Sequence, residues 1–270
     1  MIPIAFDYVR PDSVDAALAQ LAEHGEDAKL LAGGHSLLPL MKLRLAAPAV
    51  LVDVGRLAEL RYVRPDGDEV VIGAGTRHRD LETSELLRTE VPLLPRVAAT
   101  VGDPQVRHRG TLGGSLAHGD PASDLPTAVL ALDATLVLRG PDGTRTVPAT
   151  EFFTGFFETV LGLDEMLVEI RVPRTGSAGW AYEKFGRRNN DWPIVAAAVV
   201  DGRVALANMA PTVVRASLTE EAVARGADPA EAAEVADEGT EPAEDVNASR
   251  PYRRHLARLL VRRALTTAIR

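Results

Sequence analysis

Between Thr111 and Pro126 the chain reads Thr-Leu-Gly-Gly-Ser-Leu-Ala-His-Gly-Asp-Pro-Ala-Ser-Asp-Leu-Pro. Paired glycines, hydroxyls, a histidine and turn-forming aspartates stand together there, ahead of an apolar run. Gly113-Gly114 lets the backbone turn where a Cβ would clash, and it bares N–H groups to a close neighbour. Successive bared N–H groups form a concavity for anions, and a phosphate suits it. A single glycine pair is weak evidence, because most such pairs only turn a strand into a helix. A second pair follows the short apolar stretch Ala28-Lys-Leu-Leu-Ala32, which reads as a buried strand running into Gly33-Gly34-His35-Ser36. Both places give a glycine pair and then a hydroxyl. The G-x-G-x-x-G dinucleotide pattern is absent, so a Rossmann phosphate loop is not predicted.

Composition narrows what such turns could serve. At 270 residues, 46% hydrophobic and 25% charged, the chain matches a globular protein of two or three modest domains. A net charge of −8 argues against a nucleic-acid partner. No apolar run is long enough to span a bilayer, and Met1-Ile-Pro-Ile-Ala-Phe has neither a basic nor an apolar leader region, so a cytoplasmic location is expected. The sequence contains no cysteine. Thiol catalysis, Cys-ligated zinc and a Cys-ligated iron–sulfur cluster are therefore excluded within this chain. An electron carrier here must be organic. No His, Asp and Glu grouping has metal-ligand spacing, and no side chain stands out as a catalytic nucleophile or base.

The elements that would hold the turns follow in order. Asp12 or Ser13 caps a helix with Val14, Ala17, Leu18 and Leu21 on one face, ended by Gly25. Strands are expected at Val50–Val54 and Val70–Gly75, the latter with glycines that suggest close backbone approach. A helix is expected from Thr76 through Leu81, and a helical turn at Pro95–Val101. Ala128–Leu132 and Thr135–Leu138 read as further strand-like runs, with a hairpin turn at Pro141-Asp-Gly143. Phe152, Phe153, Phe156 and Phe157 cluster around Gly155 and leave two readings, core packing or the lining of a cofactor ring. Met166–Val172 is a strand. A small-residue linker at Arg174–Gly179 marks a boundary between domains 1–176 and 177–270. Ile194–Val200 and Arg203–Met209 pair around Asp201-Gly202. The acidic stretch 226–250 reads as a solvated loop, and a basic surface helix follows Tyr252. Strands alternate with helices early and become antiparallel later, which predicts an α+β fold.

Taken together, Ala32-Gly-Gly-His-Ser36, Thr111-Leu-Gly-Gly-Ser115 with its tail, Tyr182-Glu-Lys184, Arg187-Arg188, Asp191, Ala210–Arg215 and Tyr252-Arg-Arg-His255 carry a resemblance. The sequence resembles the FAD-binding medium subunit of molybdenum hydroxylases, the family of xanthine and carbon monoxide dehydrogenases, along nearly its whole length. The resemblance implies a PCMH/vanillyl-alcohol-oxidase-like fold of two α+β subdomains with FAD between them, then a C-terminal antiparallel sheet with helices. It implies that Lys29, Leu30, Leu31, Ala32, Gly33, Gly34, His35 and Ser36, with Thr111, Leu112, Gly113, Gly114 and Ser115, hold the FAD pyrophosphate through backbone N–H groups. It places Asp124 against the nucleotide portion and Lys184, Val101 and Leu167 at the cofactor. It further implies a molybdopterin-containing large subunit and a [2Fe–2S] small subunit as partners, in a dimer of heterotrimers. Electrons would pass from the clusters through FAD to NAD, a quinone, a carrier protein or oxygen.

Rival roles remain at single positions. Ser36 and Ser115 suit helix caps, and Lys184 suits a surface charge. His35 and His118 are each either phosphate donors or loop histidines. Arg187-Arg188 serves ion pairing or a partner. Where some family members have Tyr or Phe beside the flavin ring, this chain has Trp192, which could cover the ring or gate it. At the level of the whole chain, the alternatives are a stand-alone FAD-dependent oxidoreductase of the same fold or an assembly module lacking FAD.

Overall fold

The computed structural model describes residues 2–268, so the outer limits of the two expected domains, at residues 1 and 270, lie outside the described residues. The chain builds three main sheets in sequence. The first is parallel, with Val50–Asp53 between Asp7–Val9 and Ala28–Leu31. The helix Val14–His24 connects two of its strands. Ser13 caps it by accepting from the Ala16 N–H, and Gly25 ends it at φ 52°. Val14, Ala17 and Leu21 are buried against Val50 and Val52, while Leu18 is only partly covered.

The second sheet has five antiparallel strands in the order Val63–Asp66, Glu69–Gly73, Met166–Pro173, Thr135–Gly140, Gly143–Pro148. Its middle strand is the last to be made. Both expected glycine approaches occur on its second strand's end: Leu60 backbone packs so closely on Gly73 and Gly75 that neither could carry a side chain undisturbed. The expected Thr76–Leu81 helix is His78–Thr83, and it stops where Ser84 caps the next helix, Glu85–Glu90, by accepting from the Leu87 N–H. The helical turn expected from Pro95 falls within Leu93–Ala98. The Ala128–Leu132 run, grouped with the strands above, instead lies mostly in the helix Asp124–Ala131, every residue of which is buried. Burial on all sides removes the amphipathic period that would have marked it as a helix. The phenylalanines divide as well. Phe152 is fully buried and packs edge-on against Phe153, whereas Phe156 and Phe157 stay exposed.

The third sheet is antiparallel, in the order Trp180–Phe185, Val195–Val200, Arg203–Ala207, Val214–Arg215, with Asp201-Gly202 as its hairpin turn. All of Val195–Val200 is buried. One face meets the helix Arg250–Ala268, and the other joins the core of the five-stranded sheet through Ala196, Ala198 and Val200. The basic helix is less simple than a surface helix. Arg253 is on its buried face at 1% exposure, donating to the Ile194 carbonyl and to Asp245 at 2.8 Å. The acidic stretch is likewise only partly solvated, since Asp237 is buried against Arg258. The class is α+β, as expected. Among the described residues no helix is long and apolar enough to cross a membrane.

Candidate cofactor cleft

A cleft of about 1240 Å³ lies where the parallel sheet and the five-stranded sheet meet. It exceeds the roughly 300–1,000 Å³ of most small-molecule pockets. Every residue expected at the cofactor lines it except Leu112 and Lys184. Lys29, Leu30 and Leu31 come from a strand of the first sheet, Leu167 from the middle strand of the second, and Val101 from the loop between the helices Leu93–Ala98 and Pro104–Arg109. The two glycine turns face each other. A Cβ built on Gly114 would sit 3.8 Å from that of Ala32.

The turns differ in what they offer. In the first, none of the N–H groups of Gly33, Gly34, His35 and Ser36 has an acceptor among the described residues. Gly34 has φ 78°, and a side chain on Gly33 would collide with the Arg109 carbonyl. Ser36 stands at the start of the helix Leu37–Leu43 without capping it, so its hydroxyl is also available. Four adjacent donors and a hydroxyl make a concavity for an anion.

In the second turn the expectation of free backbone donors fails. Gly113 and Gly114 lie inside the first turn of the helix Leu112–His118. The Leu112 N–H donates to Thr76 O at 3.0 Å, and Gly113 to Ala74 O at 2.8 Å. The Gly114 N–H donates to Thr111 Oγ1 at 3.1 Å, and Ser115 to Thr111 O at 3.0 Å. Thr111 is therefore the cap, not Ser115, whose hydroxyl pairs with Ser123 Oγ at 2.9 Å. Leu112 is fully buried and faces the core. The helix packs so tightly on Ala74 that a Cβ on Gly113 would stand 2.5 Å from the Ala74 Cβ.

The segment from Ala74 to His78 braces this second turn throughout. Arg77 donates to the carbonyls of Arg109 and Gly55. Burial lowers the Arg77 pKa, and the nearby charges of Arg61 and Arg109 push the same way. His78 Nε2 lies 3.0 Å from Thr111 O. Neither residue was singled out in the sequence. Their only signal is position, directly after the glycine-bearing strand.

In the cleft wall, Asp124 is 4% exposed and accepts from Tyr182 Oη at 2.5 Å and Lys184 Nζ at 2.9 Å. The lysine also donates to Thr100 O at 3.2 Å. Burial pushes the Asp124 carboxyl upward, and Lys184 and the Tyr182 hydroxyl pull it back. Burial also drives the Tyr182 phenol well up, with the Asp124 charge adding to it. Lys184 is thus neither a free surface charge nor a lining residue; it reaches the cleft wall through Asp124. His35 is exposed beside the first turn. His118 packs 4.9 Å from Phe157 at the cleft, and burial lowers its pKa. Trp192 lines the mouth with Asn190 and Asp191 at 55% exposure. Its loop is tied down by Asn208, which donates to the Pro193 and Ile194 carbonyls, and by Arg253. Arg187 donates to the Asn247 side chain, away from any carboxylate.

A cleft with one donor-rich turn and buried polar support is built to hold a large anionic group. Comparison with known proteins agrees. Residues 4–175 match the family described as the FAD binding domain in molybdopterin dehydrogenase, and residues 180–268 match the CO dehydrogenase flavoprotein C-terminal domain. The chain is 46% identical to the carbon monoxide dehydrogenase medium chain of Hydrogenophaga pseudoflava, over 99% of this chain and 98% of that one. It is 37% identical to the 6-hydroxypseudooxynicotine dehydrogenase complex subunit alpha of Paenarthrobacter nicotinovorans, over 100% and 96%. Among solved structures, carbon monoxide dehydrogenase from Hydrogenophaga pseudoflava superposes with a TM-score of 0.95 at 46% identity, covering 100% and 99%. Quinoline 2-oxidoreductase from Pseudomonas putida 86 gives 0.93 at 34%, covering 99% and 98%. This chain belongs to the FAD-binding medium subunits of the molybdenum hydroxylase family.

Proposed function

We propose that the chain relays electrons from [2Fe–2S] clusters of a small partner subunit through FAD to an external acceptor, for a substrate oxidised in a molybdopterin-containing large subunit. The observation that carries this reading is the row of four N–H groups at Gly33–Ser36 without an acceptor among the described residues, inside a cleft of about 1240 Å³. Bound FAD supplies the redox chemistry, since it exchanges electrons singly or in pairs. The chain's own residues bind and orient it. Gly33, Gly34, His35 and Ser36 take the pyrophosphate. Gly114 lets the cofactor pass close to the second turn, and Ser115 offers a hydroxyl there. Asp124, held by Lys184 and Tyr182, fixes a polar wall, while Val101 and Leu167 exclude water. Trp192 stands where a planar ring could be covered. The absence of cysteine is consistent with clusters carried elsewhere.

In this reading residues 1–176 form the FAD-binding part, residues 177–270 the C-terminal domain, and the complex is a cytoplasmic dimer of heterotrimers. The test is an absorbance spectrum of protein isolated at native expression level, run beside a subunit gel. Flavin bands with iron–sulfur absorbance and two co-purifying chains are expected. Flavin on a lone chain would overturn the relay reading in favour of a self-contained oxidoreductase.

A further inference from the structure

The charged side chains that line the cleft do not suit a diphosphate. Glu26, Asp124, Glu158, Glu165 and Asp191 line it against one ammonium, that of Lys29. Lys184 balances Asp124 and Arg145 balances Glu165, and carboxylates are still in excess. The first glycine turn offers N–H groups, which carry no net charge. A dianion in such surroundings is repelled unless cations stand close by.

Cations are gathered just outside that turn. Arg77 is half-buried and donates to the carbonyls of Gly55, at 3.0 Å, and Arg109. The same Arg109 carbonyl abuts Gly33, where a Cβ would stand 2.4 Å from it, and a Cβ on Gly55 would stand 2.7 Å from the Ala32 carbonyl oxygen. One layer of backbone therefore separates the guanidinium from Ala32-Gly33. Arg61 donates to the Gly55 carbonyl as well, so two guanidiniums share one acceptor. Burial lowers the Arg77 pKa, Arg61 and Arg109 add to that, and Asp80 and Asp53 offset only part of it. Arg64, Arg79 and Arg107 each pair with a carboxylate. Arg61, Arg77 and Arg109 form no ion pair among the described residues. Like charges gathered around a half-buried guanidinium cost free energy unless an anion completes them.

We propose that Arg61, Arg77 and Arg109 supply the counter-charge for the cofactor's diphosphate across the backbone of Ala32-Gly33, and that Arg77 also positions that turn. None of the three lines the cleft, so they act through its wall rather than by contact. The inference rests on the cleft being the FAD site.

The experiment measures FAD affinity of the full-length chain, stripped of flavin, by quenching of flavin fluorescence in about 20 mM and about 500 mM KCl. Arg109→Gln is the sharpest variant, because the Arg109 side chain is exposed and donates no hydrogen bond, while its carbonyl stays in place. It is expected to weaken FAD about fivefold at low salt and hardly at all at high salt. Arg77→Gln is expected to cost about thirtyfold at low salt, with part of the loss persisting at high salt because the turn is also released. Equal FAD affinity in Arg109→Gln and wild type at low salt overturns the proposal. A loss of the same size at both salt concentrations also overturns it, because packing rather than charge would then be responsible. A wild-type chain that binds no FAD at either salt concentration removes the cleft assignment, and the proposal with it. Should Arg77→Gln not fold, Arg109→Gln and Arg61→Gln decide by the same salt comparison.

Discussion

The two glycine pairs share a sequence grammar and do different work. Around Gly33-Gly34 the N–H groups are free, and glycine is needed because Gly34 adopts φ 78° and Gly33 abuts the Arg109 carbonyl. Around Gly113-Gly114 the N–H groups are already taken by Ala74, Thr76 and Thr111. There, Gly113 is required by packing of a helix on Ala74, and only Gly114 looks across the cleft. The lesson is that a glycine pair reports close approach. Whether the neighbour is a ligand or the protein itself depends on where the backbone hydrogen bonds go.

Substitutions can separate these roles. The largest effect is expected at Gly113→Val, whose Cβ has 2.5 Å to the Ala74 Cβ and 2.8 Å to its carbonyl oxygen. Overpacking against backbone should cost about 3 kcal/mol or more in urea unfolding of the flavin-free chain. A variant as stable as the wild type would show that Gly113 is not packed against Ala74. A comparable loss is expected from Asp124→Asn, which leaves the Lys184 ammonium buried without its carboxylate, at about 3 kcal/mol. Lys184→Met should then be milder than Asp124→Asn, since Tyr182 still donates to the carboxylate.

Acid should act through the brace of the second turn. His78 titrates near 4 when folded against an ordinary value of 6.5, so the unfolded chain binds the proton first as pH falls. Its contribution to stability is complete above pH 6.5 and lost progressively towards pH 4, by about 3 kcal/mol. His78→Gln should flatten that part of the pH–stability curve, and an unchanged slope would show that other groups set it. Smaller still is Thr111→Ala, which removes a cap and should cost about 1 kcal/mol in the same unfolding assay. Gly114→Ala should cost about as much as Thr111→Ala, because its Cβ would stand 2.7 Å from the Thr111 hydroxyl that caps the helix. Its mark should be a drop in flavin content per chain, measured by absorbance. Full flavin content in Gly114→Ala would mean that the cofactor keeps its distance from the second turn.

Much of this arrangement was legible in the chain. Ser13 and Gly25 bounded their helix, the early alternation of strands with helices and the later antiparallel strands emerged from pattern, and the doubled glycine turns marked the cleft. What was not legible depended on partners distant in sequence. Nothing around Thr111 announces that Ala74 and Thr76 take the N–H groups of the next turn. Lys184 looks like a solvated lysine until Asp124, far away in the chain, is seen beneath it. Ala128–Leu132 lost its helical signature because every side of that helix is covered. His78 had no motif at all, and its importance appears only in its bond with Thr111 O.

The strand Val195–Val200, buried on both faces, has a mechanical consequence. It is at once the floor of the C-terminal core and the roof of the larger one. The polypeptide therefore cannot be cut near residue 176 into two parts without stripping both of apolar cover. The wall that carries Asp124 and the loop that carries Trp192 are fastened to the same slab. Such a slab resists shear, so the wall and the loop on either side of the cleft keep a separation set by the fold rather than by chance motion.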